Sequence, residues 1–105
     1  MNKIKQLFLI SLFFLLASSA LAEPQPAPME RQTESLVFTC YTCHGTDGES
    51  PGDIPSIKGG SAEKIKEKLL AFRQDQNDPT IMNRIAKGYS EDEITKIAEY
   101  LAAIK

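Results

Sequence analysis

The stretch "CYTCH", residues 40–44, holds both cysteines and the single histidine of this 105-residue chain. Cys40 and Cys43 lie three positions apart, and His44 follows directly. If the segment is helical, all three side chains project to one side of the helix. This spacing indicates that one short segment both tethers and ligates a single cofactor.

Several chemistries use such a cluster. The motif C-x-x-C-H signals covalent haem attachment, in which both thiols add to porphyrin vinyl groups while the imidazole reaches the iron. A thiol–disulfide centre also uses C-x-x-C, but usually at the start of a helix after a strand, and no strand pattern precedes Cys40. Zinc favours four ligands, so carboxylates would have to complete a zinc site here. Two buried cysteines without a ligand role are the remaining alternative, and the motif favours one haem c bound through Cys40 and Cys43.

The N-terminus has the pattern of a secretory signal peptide over residues 1–22. Lys3 and Lys5 precede an uncharged apolar run, and Ala20 and Ala22 are the small residues expected before a cleavage site. Residues 7–22 number only 16, fewer than the roughly 20 apolar residues of a membrane-spanning helix. We therefore expect cleavage after Ala22, export to the periplasm and no membrane span in the mature chain.

The mature chain would be a single small domain. Its 83 residues would carry ten basic and fourteen acidic side chains, and the resulting net charge of −4 argues against a nucleic-acid partner. Residues 23–32, rich in proline and charge, are expected to form a flexible lead, and residues 33–105 the domain. A domain of this size seldom has a sufficient apolar core, and a disulfide within "CYTCH" would close only a very short loop. The haem would supply the missing core.

The sequence predicts helices and no strands. Thr33 is a candidate N-cap for a helix that Gly45 can end, and the turn-rich residues 46–60 are expected to form a loop. Ser61 is a candidate N-cap for the next helix. That helix is amphipathic, since its apolar residues recur at intervals of four and three, at Ile65, Leu69 and Phe72.

Two further helices complete the predicted all-α fold. Asp78 as N-cap, Pro79 at the first position and Gly88 past the end predict a short helix of two turns. Ser90 and Glu93 form a capping box for the last helix. Its apolar stripe consists of Ile94, Ile97, Ala98 and Leu101, with Ile104 as a possible extension.

Three segments together resemble the monohaem class I c-type cytochromes of bacteria: "CYTCHGTDGES" at 40–50, "IPSIKG" at 54–59 and "TIMNRIAKGYSEDEITKIAEYL" at 80–101. The resemblance covers residues 36–101. Within it, "CHGTDG", "IPSI" and "IMNRIAKGYS" are especially similar to the haem subunit of flavocytochrome c sulfide dehydrogenase and to related small periplasmic cytochromes. It implies a cytochrome c fold of four to five short helices around one haem. It also implies that the carbonyl of Pro55 accepts a hydrogen bond from His44, and that Tyr100 lies where the last helix crosses the attachment helix near Leu36.

The sixth iron ligand follows by elimination. His44 is the only histidine, and the chain offers Met1, Met29 and Met82. Met1 would leave with the signal peptide and Met29 lies in the lead, so Met82 is the candidate, with ordinary core filling as the alternative. The resemblance implies the same choice, because the family places its distal methionine before the final helix. With His44 and Met82 both bound, the iron has no open position for a substrate.

These observations predict a periplasmic electron-transfer protein rather than an enzyme. Its partners would be periplasmic redox proteins, such as a flavoprotein sulfide dehydrogenase or a terminal oxidase. One alternative is the haem subunit of a flavocytochrome c sulfide dehydrogenase, and another is a haem enzyme or gas sensor with an open sixth site. Five lysines could steer an acidic partner or form an ordinary solvated face: Lys58, Lys64, Lys66, Lys68 and Lys87.

Overall fold

The computed structural model describes residues 24–105, so the predicted signal peptide at 1–22 lies outside the described residues. In the described part the chain forms four α-helices and one 3₁₀ turn and no strand, which confirms the all-α prediction. The helices are α1 (Pro28–His44), α2 (Ala62–Arg73), α3 (Ile81–Ala86) and α4 (Glu91–Ala103), and the 3₁₀ turn is Thr46–Gly48.

Helix α1 begins earlier than the sequence predicted. Its N-cap is Ala27, without a side-chain hydrogen bond, and Pro28 occupies the first helical position. Proline suits this position because its φ is already helical and it has no N–H to leave unpaired. Thr33 instead lies buried inside the helix, where its hydroxyl donates to the carbonyl of Met29 at 3.1 Å. The N-cap prediction for Thr33 was therefore wrong, and the helix starts within the segment predicted as a lead.

The ends of α2 and α4 are as predicted. The Ser61 hydroxyl accepts a hydrogen bond from the Lys64 N–H at 3.4 Å. At α4, the Ser90 hydroxyl accepts from the Glu93 N–H at 3.2 Å, and the Glu93 carboxylate accepts from the Ser90 N–H at 2.8 Å. Gly45 follows α1 with φ 84° and donates its N–H to the carbonyl of Tyr41.

The start of α3 was predicted wrongly. The N-cap is Thr80 rather than Asp78, and Pro79 lies before the helix. Thr80 is the N-cap because its hydroxyl accepts from the Met82 N–H at 3.1 Å, and the Asn83 side-chain oxygen accepts from the Thr80 N–H at 3.0 Å. This reciprocal pair satisfies two groups that a cap at Asp78 would leave unpaired. The helix has six residues, slightly less than two turns.

The core forms where α4 packs against α1 and α2, while α3 packs against α2. The α4 stripe is confirmed, because Ile94, Ile97, Ala98 and Leu101 are all buried. Val37 of α1 packs with Ile97 and Leu101 at the centre of this cluster. Partly buried side chains surround them, among them Leu36, Tyr100 and Ile104.

Candidate haem-binding site

His44 is the last residue of α1 and is only 9% exposed. Its Nδ1 atom lies 2.5 Å from the carbonyl oxygen of Pro55, so the hydrogen bond that the sequence resemblance implied is present. A carbonyl oxygen can only accept, which places the ring proton on Nδ1. The Nε2 atom then keeps its lone pair and can bind a metal.

The loop after α1 brings Pro55 to the histidine. The carbonyl of Gly48 accepts from the N–H groups of Ile57 at 2.8 Å and Lys58 at 3.3 Å. Gly48 is buried with φ 75°, a backbone conformation that favours glycine. The Gly59 N–H donates to the carbonyl of Leu101 at 3.0 Å and ties the loop to α4. These bonds fix the loop on both sides of Pro55.

Cys40 and Cys43 are free thiols, the first half-buried and the second exposed. Burial raises the pKa of the Cys40 thiol, although a hydrogen bond to Thr39 partly offsets the rise. Cys40 also lies near the C-terminus of α1, where the helix dipole disfavours a thiolate. A redox-active C-x-x-C motif needs a lowered thiol pKa, so this environment gives the thiol–disulfide alternative no support.

The zinc alternative also lacks a ligand set. Within residues 24–105, no group of three or more histidine, cysteine, aspartate or glutamate side chains is arranged to hold a metal ion. The Nε2 atom of His44 would therefore have no cluster of further ligands of these types around it.

Several apolar side chains remain uncovered by the protein itself. Ile54, Ile81 and Ile85 are 44%, 66% and 39% exposed. Among the residues of α2, none is fully buried, although Ile65 and Leu69 touch the core cluster. These exposed apolar side chains, the two free thiols and the available imidazole nitrogen are the groups that a covalently bound haem requires.

Comparison with known proteins gives the same result. The sequence profile described as "Cytochrome c" matches residues 33–105.

The chain belongs to the cytochrome c family.

It is an electron-transfer protein with one covalently bound haem c, attached through Cys40 and Cys43.

Named relatives of this cytochrome agree with the family assignment. It is 46% identical over 80 residues to the cytochrome subunit of sulfide dehydrogenase from Chlorobaculum tepidum, covering 75% of this chain and 73% of that protein. It is 34% identical to cytochrome c-554(548) of Halomonas halodenitrificans, covering 67% of this chain and 89% of that protein. It is 39% identical to the thiosulfate dehydrogenase electron acceptor of Stutzerimonas stutzeri, covering 68% of this chain but only 35% of that protein.

Of the candidate distal ligands, Met29 is excluded by its place in the cytochrome. It lies in the first turn of α1 and is 66% exposed, whereas His44 is the last residue of the same helix. At 1.5 Å of rise per residue, the two positions are about 22 Å apart along the helix axis. One iron atom cannot bind both side chains across that distance. Met82, half-buried in α3, is left as the candidate.

Two of the five candidate docking lysines already have acidic partners. Lys58 pairs with Glu49 and Lys87 with Asp75, each at 2.6 Å. Lys64 and Lys68 are exposed and Lys66 is half-buried. The role of these lysines in partner docking remains a prediction.

The sequence analysis missed Asn83 and Asp75, which are linked to the start of α3. Asn83 is buried, at 6% exposed, and links Thr80 to Asp75 by hydrogen bonds. The spacing of Thr80 and Asn83, T-x-x-N, resembles a capping box and could have identified this cap. No local pattern connects Asp75 to Asn83.

Within residues 24–105, none of the helices is long and apolar enough to cross a membrane.

Proposed function

We propose that this cytochrome is a periplasmic one-electron carrier with no catalytic reaction of its own. His44 and Met82 would be the axial ligands of the haem bound to Cys40 and Cys43. The observation that carries this proposal is the hydrogen bond from His44 Nδ1 to the Pro55 carbonyl, which leaves Nε2 available. The haem supplies the one-electron chemistry, and the residues of the chain orient it and shield it from water.

Pro55 supports the histidine through its backbone. A carbonyl that accepts from the second ring nitrogen fixes the tautomer and orientation of a ligating imidazole and raises its basicity. Since a backbone carbonyl does not titrate, this support does not depend on pH. The exposed side chain of Pro55 takes no part in it.

Met82 would complete the ligand set. A thioether ligand opposite a histidine raises the reduction potential. With Met82 and His44 both holding the iron, no position would be left for a substrate, which suits electron transfer. The assignment is supported by the position of Met29 at the far end of α1 and by the half-buried position of Met82 in α3.

Carbon monoxide binding tests this function. The purified haem-loaded protein in its reduced state is expected to show no change in absorption on addition of carbon monoxide at neutral pH. A carbon monoxide complex formed by the native protein would contradict the proposal and favour a haem enzyme or gas sensor with an open sixth site.

A second candidate is a stable subunit of a sulfide-oxidising flavoprotein. The observation that favours it is the 46% identity to the cytochrome subunit of sulfide dehydrogenase, over most of both chains. A stable protein interface buries about 800 Å² on each partner. A complex held by such an interface is expected to stay together during gentle purification. Co-purification with a flavin-containing chain from the native cell would support the subunit, and elution as a free protein would support the mobile carrier.

A further inference from the structure

Helix α3 carries Met82 but is too short to be stable alone. It has six residues, from Ile81 to Ala86. Isolated helices shorter than about 12 residues are marginal in water even with favourable sequences. Contacts from outside the helix must therefore determine where α3, and with it Met82, is held.

Asp75 lies at the end of α2 in a conformation that usually belongs to glycine. Its φ is +54°, its N–H donates to the carbonyl of Phe72 at 3.2 Å, and the Gln76 N–H donates to the carbonyl of Ala71 at 2.9 Å. This is the Schellman pattern of a helix C-terminus, in which glycine is the preferred left-handed residue. Aspartate tolerates this conformation less well than glycine does, so the contacts of its side chain need to be considered.

The Asp75 carboxylate contacts one residue of α3 and the residue that follows it. Its Oδ1 atom accepts from the Asn83 amide at 3.0 Å, and its Oδ2 atom accepts from the Lys87 ammonium at 2.6 Å. Asn83 directly follows Met82, and Lys87 directly follows the last residue of α3. One carboxylate therefore joins the C-terminal end of α2 to the first half of α3 and to the residue that follows α3.

The contacts continue from Asn83 to the backbone of Met82. The Asn83 side-chain oxygen accepts from the Thr80 N–H at 3.0 Å, and the Thr80 hydroxyl accepts from the Met82 N–H at 3.1 Å. Asn83 is buried, so its amide group would lose a protein partner at a largely covered position if the carboxylate were removed. The ion pair with Lys87 is exposed and contributes less.

We propose that Asp75 is a positioning residue for Met82. Its carboxylate holds Asn83 and Lys87, and through them keeps α3 at the place where the Met82 sulfur can stay on the iron. This inference rests on the proposed axial role of Met82. It goes beyond that role because it assigns the strength of the ligation to a contact between α2 and α3.

The test is imidazole binding by the ferric, haem-loaded full-length protein. Imidazole binds only when Met82 has left the iron, so its apparent affinity reports the fraction of protein in that open state. Asp75→Gly keeps the favoured backbone conformation and removes the carboxylate. We expect imidazole to bind about tenfold more tightly to this variant, equivalent to about 1.4 kcal/mol. Asp75→Asn is expected to give a smaller increase, because the introduced amide oxygen still accepts from Asn83.

A matched control separates positioning from general stability. Asp92 forms an exposed ion pair with Lys96 at 2.6 Å in the first turns of α4. Asp92→Gly removes a comparable ion pair and introduces glycine into a helix, so it should lower the melting temperature more than Asp75→Gly does. We expect it to leave imidazole affinity unchanged. An equal increase in affinity for the two glycine variants would overturn the positioning role.

Met82→Ala, measured in parallel, separates this inference from the proposed ligand role. If this variant binds imidazole far more tightly than the native protein but Asp75→Gly does not differ from native, Met82 is the ligand and the inference about Asp75 is wrong. If Met82→Ala behaves like the native protein, Met82 is not the ligand and both proposals fail. Support for both requires an increase in both variants, larger for Met82→Ala.

Discussion

His44 and Met82, the two residues proposed to bind iron, are held by very different parts of the molecule. His44 ends the 17-residue helix α1, which contributes Val37 to the buried core. It is also fixed by the Pro55 carbonyl and by its place next to Cys43 in the sequence. Met82 lies in a six-residue helix that depends on side-chain contacts with Asp75. The histidine side, meaning α1 and the loop that holds Pro55, is thus fixed by several independent contacts. The methionine side, meaning α3 and Asp75, depends on a few hydrogen bonds, so we expect Met82 to leave the iron before His44 does.

The largest effect is expected on the histidine side, from Cys40→Ala. This change removes one of the two covalent links to the haem, which would also contribute apolar surface to the core of this small domain. We expect little haem-loaded protein to accumulate in a host that matures c-type cytochromes, as measured by haem content per polypeptide. Normal yield with firmly bound haem would contradict the attachment role.

Gly45→Ala should weaken the histidine side without touching a ligand. Gly45 has φ 84° and ψ 163°, and a Cβ atom there would lie 2.0 Å from the carbonyl oxygen of Glu49. Because this conformation is nearly restricted to glycine, we expect a loss of about 1–3 kcal/mol in the free energy of unfolding, measured by denaturant titration.

Gly52→Ala is the control for this change. A Cβ atom at Gly52, in the same loop, would meet nothing within 4 Å. Its free energy of unfolding should stay close to that of the native protein. A similar loss in both variants would mean that the loop tolerates neither change and that the close approach at Gly45 is not the cause.

Acid should weaken one carboxylate contact on each side of the molecule, at Asp75 and at Glu49. Hydrogen bonds from Lys87 and Asn83 lower the pKa of Asp75, and Lys58 lowers the pKa of Glu49. A carboxylate whose pKa is lower in the folded state stabilises the fold above its unfolded pKa, about 4, and this contribution is lost as the pH falls through the folded value. The difference in unfolding free energy between native protein and Asp75→Asn should therefore shrink on acidification.

The effect of Glu49 provides the contrast. Glu49→Gln should show the same convergence in stability, because its ion pair with Lys58 is lost in the same pH range. Its imidazole affinity at neutral pH should equal that of the native protein, since Glu49 lies in the loop that supports His44. Tighter imidazole binding in Glu49→Gln would mean that the two sides are coupled.

Features that depend on nearby residues in the sequence could be predicted, and most of these lie on the histidine side or at the helix caps. The attachment residues, Gly45, and the caps at Ser61 and Ser90 depend on neighbours within a few positions, and the structure confirms these caps and the turn at Gly45. The predicted start of α1 was wrong because the helix begins at Pro28 without a side-chain cap, and proline at the first position has no N–H that needs one.

On the methionine side, prediction failed where distant residues meet. Asp78 matched a local capping pattern, but the mutual bonds of Thr80 and Asn83 set the start of α3. The contact of Asp75 with Asn83 requires a left-handed aspartate and the packing of α3 on α2. Neither condition leaves a periodic signal in the sequence.

The most direct measurement is the absorption spectrum of Met82→Ala beside that of Met29→Ala, both as haem-loaded proteins. In Met82→Ala the haem should stay covalently attached, while the weak long-wavelength band from methionine sulfur to ferric iron disappears. The reduction potential should fall, and the reduced protein should bind carbon monoxide. Met29→Ala, at the far end of α1, should keep the native spectrum and potential. If Met82→Ala instead keeps the band, the potential and the resistance to carbon monoxide, Met82 is not the ligand.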